Sequence, residues 1–199
     1  ILSQKSSLSM AKYFNPSSFN EIKMGSMYLS GFISENNNIK IKLPCNNFKS
    51  DILFLEKVFK QYDDNTLFRI DFNRGYNLKD TLSICDFLSQ FNIEYIEEPL
   101  MNMSVDRLKI LKNKTDIKIA IDESIYKDDF KKLVESGSVD YAILKPAIYG
   151  GIEKIFKLYQ YFKSNKINMV LSSSLENYIG NMATINLAAA LKLPFSHGI

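Results

Sequence analysis

The chain has 199 residues, 46% hydrophobic and 24% charged, which reads as one ordinary globular unit, neither disordered nor membrane-spanning. A net charge of +3 from 25 basic and 22 acidic residues is too balanced to make nucleic acid the default partner. The single histidine, His197, excludes a multi-His metal site and argues against a Ser/His triad, while Cys45 and Cys85 are too far apart in sequence for a zinc ribbon or a disulfide framework.

In chain order, β-rich runs are expected at Tyr28–Ile33, Ile39–Leu43, Leu67–Asp71, Glu94–Glu97, Lys118–Asp122, Tyr141–Lys145 and Asn168–Ser172. Segments of helical period fall between most of them: Asp51–Tyr62, Leu78–Phe91, Val105–Asn113, Asp128–Glu135, Ile152–Ser164 and Ile179–Leu191. In the first of these, Leu53, Leu55, Val58 and Phe59 are expected to form the inward stripe, with Glu56, Lys57 and Lys60 facing out. The apolar stretch Ile185–Phe195 contains Asn186 and Lys192 and reads as a buried helix rather than a membrane span.

Strand–helix alternation implies parallel strands joined by right-handed crossovers, and therefore an α/β fold. Neither GxGxxG after an early strand nor GxxxxGK[ST] occurs, so an open nucleotide-binding sheet has no support. Residues at the expected strand C-termini, Lys42, Asp71, Glu97, Asp122, Lys145 and Ser172, recur every 23 to 29 positions, which favours a (β/α) barrel. Strand parity places Lys40 with Lys42, Arg69 with Asp71, and Lys118 with Asp122 on one face, opposite apolar partners. In a barrel that charged face points inward, and its C-terminal residues reach the end where active sites are built.

Asp71, Glu97 and Asp122 end three successive strands, and three converging carboxylates need a cation to offset their repulsion. Oxygen ligands without His or Cys select Mg2+, with Mn2+ as a substitute. The plainer alternative is that the acids pair with Lys40, Arg69 and Lys118 as internal salt bridges. Lys42 and Lys145 flank the acids in strand order, and a lysine serves as a base near neutral pH only when its surroundings depress its pKa from about 10.4. This set suits abstraction of a proton α to a carboxylate, with the divalent ion stabilising the enediolate. Ser172, Ser173 and Ser174 end the seventh strand, where hydroxyls and backbone N–H groups suit a substrate carboxylate, or else cap the helix near Glu176. His197 reads as structural or solvent-facing, and the cysteines as inert packing residues.

The motifs Ile39-Lys-Ile-Lys42, Arg69-Ile-Asp-Phe-Asn73, Tyr95-Ile-Glu-Glu-Pro99, Ile121-Asp-Glu-Ser124, Leu144-Lys-Pro146 with Gly150-Gly151, and Ser172-Ser-Ser-Leu-Glu176 appear in that order. Together they resemble the enolase superfamily and, within it, the o-succinylbenzoate synthases. The resemblance implies that Lys42 is the general base and then the acid that expels hydroxide, and that Lys145 stabilises the enediolate from the other face. It implies Asp71, Glu97 and Asp122 as metal ligands; parity alone leaves Glu97 and Glu98 undistinguished. Lys40 and Ser172 to Ser174 are the expected substrate-binding residues.

The implied reaction is dehydration of 2-succinyl-6-hydroxy-2,4-cyclohexadiene-1-carboxylate to 2-succinylbenzoate, a step of menaquinone or phylloquinone synthesis. A dipeptide epimerase or N-succinylamino acid racemase with the same two lysines, or an inactive barrel fragment, are the alternatives. The expected partner is a small-molecule carboxylate substrate, with no nucleic acid and no membrane; a homo-oligomer stays open. A cytoplasmic location is expected, with a plastid as the alternative. Residues 1–27 are expected to hold a remnant of the family's capping domain and a leading helix, and residues 28–199 a barrel truncated at the eighth strand.

Overall fold

The computed structural model describes residues 6–30 and 32–199. The chain divides into two compact units, Gly25–Ala142 and the pair of segments Ile1–Met24 with Ile143–Ile199.

In the unit Gly25–Ala142, strands β1 (Ser26–Met27), β2 (Asn38–Lys42), β3 (Leu67–Asp71), β4 (Ile93–Glu97) and β5 (Ile119–Ile121) pair in sequence order, every pair parallel. β5 continues onto the start of β6 (Tyr141–Leu144) through Ala120↔Tyr141 and Ile121↔Ala142. Returning helices α2 (Phe48–Phe59), α3 (Leu78–Leu88), α4 (Val105–Lys112) and α5 (Phe130–Glu135) connect the strands, with a 3-10 turn at Glu123–Tyr126. Helix starts follow cap chemistry: the side chains of Asn47, Asn77 and Ser104 accept from the N–H groups of Ser50, Asp80 and Arg107, each cap contributing about 1 kcal/mol. The sheet and helices close over Ile39, Ile41, Leu55, Ile70, Ile84 and Ile96, all fully buried; each such side chain contributes about 1.5–3 kcal/mol relative to exposure.

Two expectations change here. The first strand is Ser26–Met27 rather than Tyr28–Ile33. Tyr28 N–H still reaches Lys40 C=O at 2.7 Å, after which Leu29 and Phe32 form an antiparallel bridge that turns the chain back; Gly31 lies outside the described residues. On α2, Leu53 is 57% exposed, and Asp51 takes the inward place. Asp51 is tolerated because the buried Tyr76 hydroxyl donates to it at 2.5 Å.

The β3–β4 register contains a shift. Phe68 pairs with Ile93 but Arg69 pairs with Tyr95, so Glu94 is bulged out of the ladder. Its carboxylate meets Arg69 Nε at 2.6 Å, and the shift brings Glu97, rather than Ile96, opposite Asp71.

The second unit holds α1 (Met10–Phe14), the end of β6, α6 (Pro146–Tyr149), α7 (Ile152–Ser164), β7 (Asn168–Leu171) and α8 (Tyr178–Leu191). Ala11 of α1 packs on Ala189 and Ala190 of α8, with Ile22 against them. Gly150 and Gly151, at φ 91° and 95°, end α6 and start α7 in backbone conformations that side chains resist. β7 runs on from β6 through Ser172 N–H to Leu144 C=O, 2.9 Å. The His197 segment pairs in parallel with Met24 on one side, and Gly198 with Ser172 on the other. His197 is fully buried, and its Nδ1 accepts from Leu171 N–H at 3.1 Å, so it is structural rather than solvent-facing. No helix among the described residues is long and apolar enough to cross a membrane.

Candidate active site

Parallel pairing levels the strand ends: Lys42 stands beside Asp71, Asp71 beside Glu97, and Glu97 beside Ala120, with Asp122 just beyond β5. The alternation of side chains then sets Lys40, Asp71 and Glu97 on one face. Lys40 Nζ lies 3.1 Å from Asp71 Oδ2, and 2.8 and 2.7 Å from Glu97 Oε1 and Oε2. Asp71, Glu97 and Asp122 are all buried. Lys42 is exposed at the end of β2.

Electrostatics follow from that crowding. Burial first, then the charges of Asp71 and Asp122, push the Glu97 carboxyl up to about 8 against the opposing pull of Lys40. Burial would lower the Lys40 ammonium, but Glu97 and Asp71 outweigh it and hold it above its ordinary value. Asp71 and Glu97 share the Lys40 ammonium, and the charge of Asp122 also acts on Glu97.

The same geometry tests whether a divalent ion suits these residues. Glu97 Oε2 is buried with no aligned hydrogen-bond donor among the described residues, its contact with Lys40 being ionic only. The donor set is all carboxylate oxygen, which matches Mg2+ or Mn2+. The residues therefore fit the ion, although no three His, Cys, Asp or Glu among the described residues are already gathered at ligating distance. The expectation of ready convergence is corrected to this extent: Lys40 occupies the space between Asp71 and Glu97. Internal salt bridging, the plainer alternative, thus holds for Lys40. Arg69 and Lys118 instead pair with Glu94 and Asp140.

Glu97 and Glu98, between which the sequence did not choose, part company in three dimensions. Glu98 is fully buried just beyond β4 with φ 44°. Its Oε1 accepts from the N–H groups of Asp122 and Ser124, both at 2.8 Å. Its Oε2 accepts from Ser124 Oγ at 2.8 Å and Arg74 Nε at 2.7 Å. Sequence reasoning assigned no role to Arg74, Glu98 or Ser124; the only available signal was that Glu98 and Ser124 lie inside the motifs.

Lys145 and the three serines belong to the second unit. Lys145 lies just beyond β6, at the N-cap of α6, whose first residue is Pro146. Ser173 Oγ donates to Glu176 Oε2 at 2.5 Å and accepts from Leu175 N–H at 3.0 Å, while Ser174 N–H also reaches Glu176 Oε2. Burial alone would raise Glu176, yet these hydrogen bonds hold it below the usual carboxylate range. Asn177, not a serine, caps α8 by accepting from Gly180 N–H. Ser172 Oγ donates to Gly198 C=O at 3.1 Å.

Cavities of about 630 and 680 Å³ in the unit Gly25–Ala142 sit at the opposite ends of the strands. They are lined by residues such as Thr66, Phe91 and Asn92 in one, and Thr115 and Ile117 in the other.

A profile of the family described as enolase C-terminal domain-like matches residues 28–196. The chain belongs to that family. Members similar to this enolase-type chain divide by reaction. An o-succinylbenzoate synthase of Mycobacterium leprae is 31% identical over 164 residues, 81% of this chain and 47% of that protein. An L-Ala-D/L-Glu epimerase of Francisella tularensis subsp. novicida is 26% identical over 155 residues, 76% of this chain and 43% of that protein. The crystal structure of the dipeptide epimerase of Enterococcus faecalis complexed with Mg and the dipeptide L-Leu-L-Tyr superposes with TM-score 0.86 at 22% identity, covering 99% of this chain and 59% of that one. The enolase-type α/β barrel fold is thereby established. The chain spans somewhat under half the length of the curated relatives it matches.

Proposed function

We propose that this enolase-type chain acts in metal-assisted removal of a proton α to a carboxylate, as an o-succinylbenzoate synthase-like hydro-lyase. The substrate would be 2-succinyl-6-hydroxy-2,4-cyclohexadiene-1-carboxylate and the product 2-succinylbenzoate. The observation that carries this reading is the level register of Lys42, Asp71 and Glu97 at the strand ends, where two buried acids share the ammonium of Lys40.

Asp71, Glu97 and Asp122 would hold Mg2+, or Mn2+ in its place. When bound, the ion supplies positive charge against the substrate carboxylate, so that negative charge accumulating there on proton loss is stabilised. Lys42 would take the α-proton, and the electron pair left behind spreads into the carboxylate as an enediolate. The same Lys42 then returns its proton to the leaving hydroxyl, which departs as water as the ring becomes aromatic. Lys145 supplies a second cationic group for the enediolate, and Lys40 and Ser172, Ser173 and Ser174 are proposed to orient the substrate's carboxylates.

The second reading, a dipeptide epimerase or N-succinylamino acid racemase, is favoured by relatives of those names at similar identity, such as an N-succinyl-L-Arg/Lys racemase of Bacillus cereus at 26%. It keeps the same residues but returns the proton to carbon. Ultraviolet-monitored dehydration of the cyclohexadiene substrate, with Mg2+ and then EDTA, separates the two. Metal-dependent turnover lost in Lys42→Ala and Lys145→Ala supports the synthase. Silence there with deuterium exchange at the α-carbon of dipeptides or N-succinylamino acids moves the reading to the second, and silence in both leaves an inactive barrel.

A further inference from the structure

We propose that Glu98 is a positioning residue for the metal site: its carboxylate holds the backbone that carries Asp122, and so sets the site's affinity for a divalent cation. This rests on the carboxylate set being a metal site.

One buried side chain here serves three strand ends. Asn73 and Arg74 follow Asp71 with φ of 46° and 58°, and Glu98 follows Glu97 with φ 44°, all in the left-handed region that non-glycine residues avoid. Asn73 N–H donates to Asp71 Oδ1 at 2.9 Å, and Arg74 N–H donates to Glu98 C=O at 2.9 Å. From that turn Arg74 extends Nε to Glu98 Oε2 and its Nη2 to Ser124 Oγ at 3.2 Å. Glu98 Oε1 takes the N–H groups of both Asp122 and Ser124. The unfavourable turns after β3 and β4 are thus locked together through a carboxylate whose other oxygen fixes the backbone of Asp122. Such backbone persists only where its surroundings over-determine it, and it clusters at functional sites.

The charge of Glu98 is specific to this job. Four donors point at its two oxygens, one from a guanidinium and three from neutral groups. An amide has a single accepting oxygen, so whichever way Glu98→Gln lies its NH2 meets either the Arg74 guanidinium or the N–H groups of Asp122 and Ser124, and one side of the link is lost. The Asp122 backbone then loses either its acceptor or the Arg74 anchor that holds the acceptor in place, and a shift that leaves the fold intact is felt first in ion affinity. Groups that orient metal ligands cost about 10–100-fold in affinity when removed.

The test is Mn2+ binding to the purified protein without substrate, followed by electron paramagnetic resonance of the free ion. It is run on wild type, Asp122→Asn, Glu98→Gln and Ser124→Ala, with melting curves alongside. Glu98→Gln is expected to weaken Mn2+ binding about 10–100-fold while retaining a cooperative melt, and Ser124→Ala to weaken it less. A lowered Tm with wild-type affinity in Glu98→Gln would make the residue merely structural and overturn the proposal. If Glu98→Gln does not fold, Ser124→Ala decides by the same criterion. Equal Mn2+ binding in wild type and Asp122→Asn would instead remove the metal-site reading, and with it any ligand for Glu98 to position.

Discussion

Lys40 shows at the scale of one residue how the site handles charge. Its ammonium bridges Asp71 and Glu97, so Lys40→Met leaves buried carboxylates uncompensated and should cost about 3 kcal/mol of stability. Mg2+ should restore part of that loss, an outcome read from Tm with and without the ion; a variant equally stable in both conditions would refute the charge argument. Asp122→Asn removes a candidate ligand oxygen and is expected to lower Mg2+ affinity at least about tenfold in titration calorimetry. Lys42→Ala should abolish turnover while leaving ion binding intact. The cysteines test burial independently of the chemistry. Burial pushes the Cys85 thiol up to about 12, so almost no thiolate exists at about pH 8. Cys85 should therefore resist iodoacetamide until the protein unfolds, and native-state labelling at the rate of an exposed thiol would contradict the packing.

Among the elements, the loop after β3 is the most closely determined. Tyr76 donates to buried Asp51 of α2, so Tyr76→Phe strands a carboxylate and should cost about 1–3 kcal/mol in urea unfolding. An unchanged midpoint would mean that water replaces the hydroxyl. Gly75 is required by close approach: a Cβ there would lie 2.3 Å from Cys45 Sγ. Gly75→Ala should consequently destabilise by about 1–3 kcal/mol, and Cys45→Gly, at a position with φ 59°, should recover much of it. The β3–β4 bulge has a larger consequence than any single contact. A register one residue different would have set Ile96 against Asp71 and left Glu97 on the other face.

Over the whole molecule, stability rests on fully buried aliphatic positions such as Leu55 and Ile70, and Leu55→Ala should cost about 2–5 kcal/mol. The α/β class and most strand and helix positions were legible in the sequence, because alternating periods of apolar residues report which elements form wherever each buries one face. The candidate residues were legible for the same reason, since charged residues on an otherwise apolar parallel strand stand out. The first strand was not: its pairing is settled by Lys40 C=O and by the turn at Leu29–Phe32, neither of which is a matter of local propensity. The inward place of Asp51 depends on Tyr76, distant in sequence. Periodicity was equally silent on the two adjacent glutamates. Their separate roles arise from a bulge between neighbouring strands and a left-handed turn after β4. Local sequence thus determined which elements exist and which residues end them, because burial periodicity is written residue by residue. Only the tertiary structure decided that Glu97 faces Lys40 and Asp71 while Glu98 serves Arg74, Asp122 and Ser124, because register and backbone handedness are set by partners that the local sequence does not contain.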